Sequence, residues 1–125
     1  MLPVRRRIRR AEEFRAVLRG GIRAASPTLV VHVMATDPGT DARAGFIVGR
    51  SVGGSVVRHR VTRQLRHLMA TQLDHLAPGT DVVIRALPRS AETSSREMSA
   101  ELSTALGRAL AKQGHRAGTP AVVSQ

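Results

Sequence analysis

Residues 44–68 read AGFIVGRSVGGSVVRHRVTRQLRHL, and this stretch decides the centre of the fold. Its beginning is mostly apolar, which predicts a strand over 44–49. Glycine and serine dominate 51–55, which predicts a turn. Apolar residues then recur at helical spacing, which predicts a long helix over 55–75 that ends before Pro78. The stripe of this helix comprises Val57, Val61, Leu65, Leu68, Gln72 and Leu76.

The residues before this stretch predict a helix and further strands. Apolar residues at helical spacing, followed by a pair of glycines, predict a helix over 10–19. Residues 22–25 suit a short extended segment, and the apolar run 29–35 predicts a strand. We expect the strands 29–35 and 44–49 to form a hairpin, because they flank the proline- and glycine-containing loop 36–41.

The residues after the long helix predict one more strand and a last helix. The apolar run 81–86 predicts a strand, and 87–93 predict a loop. Ser94 and Glu97 have the spacing of a capping box, which predicts that a helix begins there. From Gln113 onward, glycine, proline and small residues dominate, so we expect 113–125 to be a disordered tail.

The order helix–strand–strand–strand–helix–strand–helix predicts an α+β fold, a two-layer α–β sandwich with one sheet. The 125 residues fit a single domain. We place this domain at 1–112 and include in it a basic N-terminal arm at 1–10. No apolar run is long enough for a membrane span or a signal peptide, so the expected location is the cytoplasm.

The charge predicts a polyanionic partner. The chain has 20 basic and 9 acidic residues, a formal net charge of +11. No acidic residue lies between Asp41 and Asp74, and the predicted helix in that interval presents Arg58, Thr62 and Arg66 along one line. Like charges at this spacing destabilise an isolated helix, which favours a helix whose basic face binds phosphates.

Composition also excludes several kinds of site. The sequence has no cysteine, which excludes zinc fingers and disulfides. Its only aromatic residues are Phe14 and Phe46, so it cannot stack many bases on aromatic rings. A two-metal nuclease needs clustered carboxylates, and the acidic residues here are scattered. We therefore expect no catalytic residue and no metal site in the protein itself.

The basic segment resembles the signature of the bacterial ribonuclease P protein subunit, in which a basic residue and a Val-Gly-Asn-Ala-Val turn precede an Arg-Asn-Arg motif. Arg50 stands at the first basic position, and Arg58, Arg60, Arg63 and Arg66 match the family's arginines. The departures are His59 for asparagine, Thr62 for lysine and Gln64 for a frequent arginine. The resemblance extends over about residues 5–110.

The resemblance implies a fold with one mixed sheet and a left-handed βαβ crossover, against the usual handedness. It implies a protein subunit that binds the catalytic RNA of ribonuclease P and the 5′ leader of precursor tRNA, with no membrane and no obligate protein partner. Magnesium would be held mainly by the RNA, which carries the active site. The implied RNA-binding residues are Arg50, Arg58, His59, Arg60, Arg63, Arg66 and His67; the implied leader-binding cleft is Phe14, Leu18, Val30 and His32.

Purely structural roles remain possible for two of the cleft residues. Other functions of the protein also remain possible from the sequence. Phe14 also suits a helix–sheet core, and His32 suits a structural role in its strand. A ribosome-associated RNA-binding protein would show similar charge. A helix-turn-helix regulator of DNA is disfavoured, because 44–49 predicts a strand where that motif needs a helix. Residues 43–48 are weakly similar to the signature of an RNA-recognition motif, but they lack its second aromatic residue.

Overall fold

The computed structural model describes residues 2–116, and its helices and strands follow the prediction to within one or two residues at most boundaries. The last helix is the exception, because it continues past Gln113 to Arg116; residues 117–125 of the predicted tail lie outside the described residues. The elements are α1 (Ala11–Gly20), β1 (Ile22–Ala25), β2 (Leu29–Ala35), β3 (Arg43–Ile47), α2 (Ser55–Leu73), β4 (Thr80–Ala86) and α3 (Ser95–Arg116), with 3-10 turns at Val4–Arg6 and Pro88–Glu92.

The four strands form one mixed sheet in the order β1-β2-β4-β3. β2 pairs antiparallel with both β1 and β4, whereas β3 is parallel to β4. The βαβ unit implied by the resemblance is therefore β3–α2–β4. The predicted hairpin between 29–35 and 44–49 is wrong, because β4 lies between these two strands.

The loop after β2 explains this strand order, because it crosses the beginning of β4. The Thr36 amide donates to the Gly79 carbonyl at 2.6 Å, and the Gly79 amide donates to the Thr40 carbonyl at 2.8 Å. Gly79 has φ +79°, and a Cβ there would lie 2.6 Å from the Asp37 carbonyl oxygen. A glycine is required at this crossing, which carries the chain past β4 before β3 begins.

The sheet has two faces, because successive side chains alternate along each strand. One face, called here the α2–α3 face, packs against α2 and α3 and forms the larger core. The other, the α1 face, packs against α1 through Val17, Val83 and Ile8, with Phe14 and Met34 at the margin. The buried side chains of the larger core include Leu29, Val31, Val33, Leu65, Met69, Ile84, Met98 and Leu102.

The N-terminal arm is docked along the outer edge of β3. Arg7 pairs with Ala44 as a parallel β-bridge, and the Ile8 amide donates to the Ala44 carbonyl at 2.9 Å. Leu2 and Ile8 are buried, at 1% and 5% exposure. These two apolar side chains of the otherwise basic arm hold it on the domain.

Polar contacts from α3 cover the opposite edge of the sheet. Arg108 Nη1 donates to the Ala25 carbonyl and Lys112 Nζ to the Arg23 carbonyl, both at 3.2 Å. At its beginning α3 has a serine N-cap at the predicted position. The Glu97 amide donates to Ser94 Oγ at 3.1 Å, and Ser94 Oγ donates to the Glu97 carboxylate at 3.0 Å, whereas a complete capping box would have that carboxylate accept from the Ser94 amide. Among residues 2–116, no helix has the length and apolar character needed to cross a membrane.

Candidate nucleic-acid interface

Helix α2 buries one side and exposes an unbroken basic side. Val61, Leu65, Met69 and Leu73 are buried against the sheet and α3. Val61 and Leu65 were predicted to lie in the apolar stripe of this helix. Further along, the fully buried positions are Met69 and Leu73 rather than the predicted Leu68 and Gln72. Gln72 lies at the margin and donates to Ser103 Oγ at 2.9 Å.

The opposite side of α2 carries the arginines and histidines that the sequence predicted for RNA binding. Arg58 and Thr62 are partly buried, and the Thr62 hydroxyl donates to the Arg58 carbonyl at 2.8 Å. Among the described residues, no carboxylate forms an ion pair with any of these side chains. The exposed members of the set are His59, Arg60, Arg63, Arg66 and His67, with Arg50 on the preceding turn.

The docked arm adds a cation to this surface that sequence reasoning missed. A pocket of about 530 Å³ lies between the arm and α2, lined by Arg7, His59, Thr62, Arg63, Arg66 and His67. The neighbouring recess of about 120 Å³ shares Arg7, Thr62 and Arg66 with this pocket and reaches Phe14. In the sequence, the charged Arg7 alternates with the apolar Ile8, as in an extended segment with one buried side. This pattern could have predicted that the arm pairs with a strand. We call the surface around both concavities the seam.

Two polar residues of the basic segment also hold the fold together. The Arg60 guanidinium donates to the Ala91 carbonyl, which ties α2 to the 3-10 turn Pro88–Glu92. Gln64 Nε2 donates to Ser95 Oγ at 3.0 Å, at the beginning of α3. The departure at Gln64 therefore has a structural role, and Arg60 gives part of its hydrogen-bonding capacity to the protein.

Phe14 packs directly on strand β3. A Cβ at Gly45 would lie 2.6 Å from two atoms of the Phe14 ring, so only glycine allows the ring to approach the strand this closely. The ring is partly buried against Ile8 and Val17, and it still lines the inner recess of the seam. The structure therefore gives Phe14 a core contact while leaving part of it accessible.

The other predicted cleft residues differ in accessibility. Leu18 on α1 is 36% exposed, whereas Val30 and His32 on the α1 face are only 6% and 7% exposed. Burial lowers the pKa of His32, and the charges of Arg23 and Arg85 lower it further. His32 Nε2 is buried without a hydrogen-bond partner. A direct contact with a ligand at this face would therefore fall to Leu18 and to the exposed neighbours of His32.

Arg43 has a different role from the other cations of the basic interval. Its Nη1 donates to Glu13 on α1 at 3.0 Å, and its Nε and Nη2 bind the two oxygens of Asp81 on β4. Hydrogen bonds from Arg43 and from the backbone lower the pKa of Glu13 despite its partial burial. Arg43 thus fixes the beginning of α1 over the sheet and is already neutralised.

The residues at the seam do not suit a divalent cation. Its charged lining is cationic, whereas magnesium takes oxygen ligands, mainly carboxylates and phosphates. Within residues 2–116 no three His, Cys, Asp or Glu side chains converge in a way that could hold a metal ion. The arrangement is suited to phosphate groups, which arginine binds through its planar fork.

Comparison with known proteins places the sequence in a family. The sequence matches the family model for Ribonuclease P over residues 2–110. It is 47% identical over 110 residues to the ribonuclease P protein component of Mycobacterium sp. (strain KMS), which covers 87% of this chain and 93% of the relative. It is also 47% identical over 118 residues to that of Streptomyces bikiniensis, with 88% and 96% covered.

Solved structures share the fold at much lower identity. The Staphylococcus aureus RNase P protein superposes with a TM-score of 0.74 at 21% identity, covering 83% of this chain and 94% of that one. The Thermotoga maritima RNase P protein gives 0.68 at 20% identity, with 78% and 92% covered. Because the family model spans nearly the whole described domain, the chain belongs to the ribonuclease P protein family.

Proposed function

We propose that this chain is the protein subunit of a ribonucleoprotein endoribonuclease, ribonuclease P. In this proposal it binds the catalytic RNA and the 5′ leader of precursor tRNA in the cytoplasm. The RNA carries the active site and its magnesium ions, and removal of the leader gives the mature 5′ end of the tRNA. The observation that carries the proposal is the seam, a cation-lined concavity whose arginines pair with no carboxylate of residues 2–116, in a chain of this family.

The seam suits the catalytic RNA because it brings cations from two separate segments to one concavity. Arg63 and Arg66 come from α2, and Arg7 comes from the arm. RNA strands that approach each other repel through their phosphates, and arginines between them reduce that repulsion. Such neutralisation lowers the magnesium concentration that a folded RNA needs, so the protein's contribution is expected to be largest when magnesium is scarce.

The leader contact is proposed for the α1 side of the sheet. Phe14 and Leu18 lie one helical turn apart on α1, and both keep accessible apolar surface. Phe14 also lines the recess that continues into the seam, so a leader bound here would adjoin the RNA-binding cations. With only Phe14 and Phe46 as aromatic residues along this recess, base stacking supplies less of the affinity than phosphate contacts do.

The carboxylates support a non-catalytic role for the protein. Asp81 and Glu13 bind Arg43, and Asp41 and Asp74 bind arginines of the arm. These carboxylates are engaged by arginines, and within residues 2–116 they do not join others in the kind of cluster that a two-metal nuclease needs. In this proposal the protein positions the RNA and neutralises its phosphates, and the RNA performs the hydrolysis.

The test is cleavage of a precursor tRNA at low magnesium by the cognate catalytic RNA, with and without this protein. We expect strong stimulation by the protein and no cleavage by the protein alone. Absence of stimulation, together with salt-resistant binding to other RNA, would favour a ribosome-associated role instead. Cleavage by the protein alone would contradict the assignment of catalysis to the RNA.

A further inference from the structure

Asp74 stands at the end of α2 that is less suited to a carboxylate. Helix α2 ends at Leu73, and Asp74 follows it as the C-cap. The carbonyls of the last turn make this end of a helix electronegative, so a negative side chain there is unfavourable. Residues 70–73, the last turn of α2, include no basic residue that could offset this charge. A cation that neutralises Asp74 must therefore come from outside the helix.

The partner of Asp74 comes from the arm. Arg6 Nη1 donates to Asp74 Oδ1 at 2.7 Å, and the two residues are 68 positions apart in the sequence. The Arg6 side chain is only 22% exposed, and its Nε is buried without a hydrogen-bond partner. Within residues 2–116, the bond to Asp74 is therefore the one that this guanidinium makes. Loss of the carboxylate would leave a largely buried cation unpaired, which is unfavourable.

The residue that follows Arg6 is the one that reaches the seam. Arg7 lines the larger pocket of the seam together with residues of α2. Its Nε donates to the carbonyl of the buried Leu2 at 2.8 Å, and its amide donates to the Val4 carbonyl at 3.1 Å. The position of Arg7 in the seam therefore depends on how residues 2–8 are folded against the domain.

Arg7 is held on both sides along the chain. On one side, Ile8 is buried and its amide bonds strand β3. On the other side, Arg6 is bonded to Asp74. Asp74 is seven residues beyond His67, so the two lie on nearly the same side of α2, about 10 Å apart along its axis. The bond between Arg6 and Asp74 therefore holds the arm along the side of α2 that lines the seam.

We propose that Asp74 is a positioning residue for RNA binding: by holding Arg6, it keeps the arm where Arg7 faces the phosphates bound at the seam. The inference rests on the proposed function and extends it, because it assigns a part in RNA binding to a carboxylate. The other pair of the arm, Arg5 with Asp41, contributes less. Both of its side chains are well exposed, and exposed ion pairs stabilise little.

This role reverses the effect that charge alone predicts. A carboxylate at the margin of a cationic surface repels RNA, so neutralising it should tighten binding. If Asp74 holds the arm, neutralising it releases Arg6 and shifts the arm toward undocked states, in which Arg7 has left the seam. The affinity for RNA then falls in proportion to the fraction of molecules that remain docked.

The experiment measures binding of the cognate catalytic RNA to the full-length chain over a salt series. In the Asp74→Asn variant we expect the affinity to fall about twofold to fivefold. The log–log salt slope should become shallower by up to about 0.9, the effect of one lost phosphate contact. Glu92→Gln is the matched control, because it removes the same charge from an exposed residue that forms no ion pair among the described residues. Its affinity should be unchanged or slightly higher.

Two further measurements separate positioning from a general loss of stability. In the Arg7→Ala background, Asp74→Asn should no longer weaken binding, since the cation that it positions is absent. Hydrogen exchange of the Ile8 amide, which donates to the Ala44 carbonyl at 2.9 Å, reports docking of the arm directly. This exchange should be faster in Asp74→Asn than in the wild type and the control.

The inference is overturned if Asp74→Asn binds the RNA as tightly as the wild type or more tightly. An equal loss of affinity in the wild-type and Arg7→Ala backgrounds also overturns it, as does unchanged exchange at Ile8. In these three results the wild-type chain still binds the catalytic RNA, so the proposed function stands. If the wild-type chain does not bind that RNA, the proposed function fails and the inference fails with it.

Discussion

Arg43 binds both carboxylate oxygens of Asp81, from Nε at 3.1 Å and from Nη2 at 2.8 Å. The Asp81 side chain is only 3% exposed, so this ion pair is buried at one end. The pair joins β3 to β4, and the additional bond to Glu13 joins both strands to α1. The contact thus fixes the relative position of the sheet and the helix that form the proposed leader site.

Replacing Arg43 by alanine is expected to lower the free energy of unfolding by about 3–5 kcal/mol, because it leaves the Asp81 carboxylate buried without its partner. Urea denaturation measures the change. Arg5→Ala is the control, since the Arg5–Asp41 pair is exposed on both sides and should contribute less than about 1 kcal/mol. Equal effects of the two changes would show that Asp81 finds another partner or reaches water.

Acid should weaken the fold through His32. Because the pKa of His32 is lowered from 6.5, the unfolded chain takes up a proton at this position before the folded chain does. The stability that neutral His32 contributes is therefore present above about pH 6.5 and is lost as the pH falls through the lowered value. The His32→Leu variant should lose less stability than the wild type between about pH 7.5 and about pH 5.5 in urea denaturation. Parallel losses would mean that His32 is protonated equally in both states.

Gly45→Ala is expected to destabilise the domain by about 1–3 kcal/mol, because the new methyl group would overlap the Phe14 ring. A double-mutant cycle with Phe14→Ala isolates this contact. In the Phe14→Ala background, the alanine at position 45 should be tolerated much better. If its effect is the same in both backgrounds, the strand rather than the ring is what excludes a side chain there.

Arg63→Ala and Arg66→Ala should weaken binding of the catalytic RNA while leaving the free energy of unfolding nearly unchanged, because both side chains are exposed on α2. Each should make the log–log dependence of affinity on salt shallower by roughly 0.7–0.9, the effect of one lost phosphate contact. Filter binding over a salt series measures both quantities. An unchanged slope would remove that arginine from the proposed phosphate contacts.

Val61→Asp should prevent stable folding, because Val61 is 0% exposed and the change buries an unpaired charge. Circular dichroism and urea denaturation would report the loss. The exposed Val56 of the same helix, 83% accessible, offers a matched control in Val56→Asp. A folded Val61→Asp protein would mean that the two faces of α2 are assigned the wrong way round.

The sequence was sufficient for α2 and its basic face because helical spacing separates apolar from charged positions without help from the rest of the fold. It was not sufficient for the strand order. The hairpin prediction failed because hydrophobic patterns identify strands without identifying their neighbours. The loop crosses the beginning of β4 through the hydrogen bonds of Gly79 with Thr36 and Thr40, and these tertiary contacts leave no pattern in the sequence.

The charges of the sequence do not by themselves show which arginines are free to bind RNA. Arg43 and Arg66 look alike in the sequence, yet Arg43 is neutralised by Asp81 and Glu13, whereas Arg66 has no carboxylate partner among the described residues. Arg7 joins the basic surface only because Leu2 and Ile8 dock the arm. Arg23 and Arg85, far apart in the sequence, are brought by strand register to the two sides of β2, opposite His32 and Val30 respectively.

The covered edges of the sheet bear on how the protein behaves when many copies crowd on one polyanion. An outer strand with free carbonyls and amides is a template for pairing with another chain, and this is a common route to aggregation. Here the arm occupies the edge of β3, and Arg108 and Lys112 engage carbonyls of β1. The basic arm and the cations of α3 therefore leave fewer backbone groups free at both edges of the sheet for a neighbouring copy to pair with.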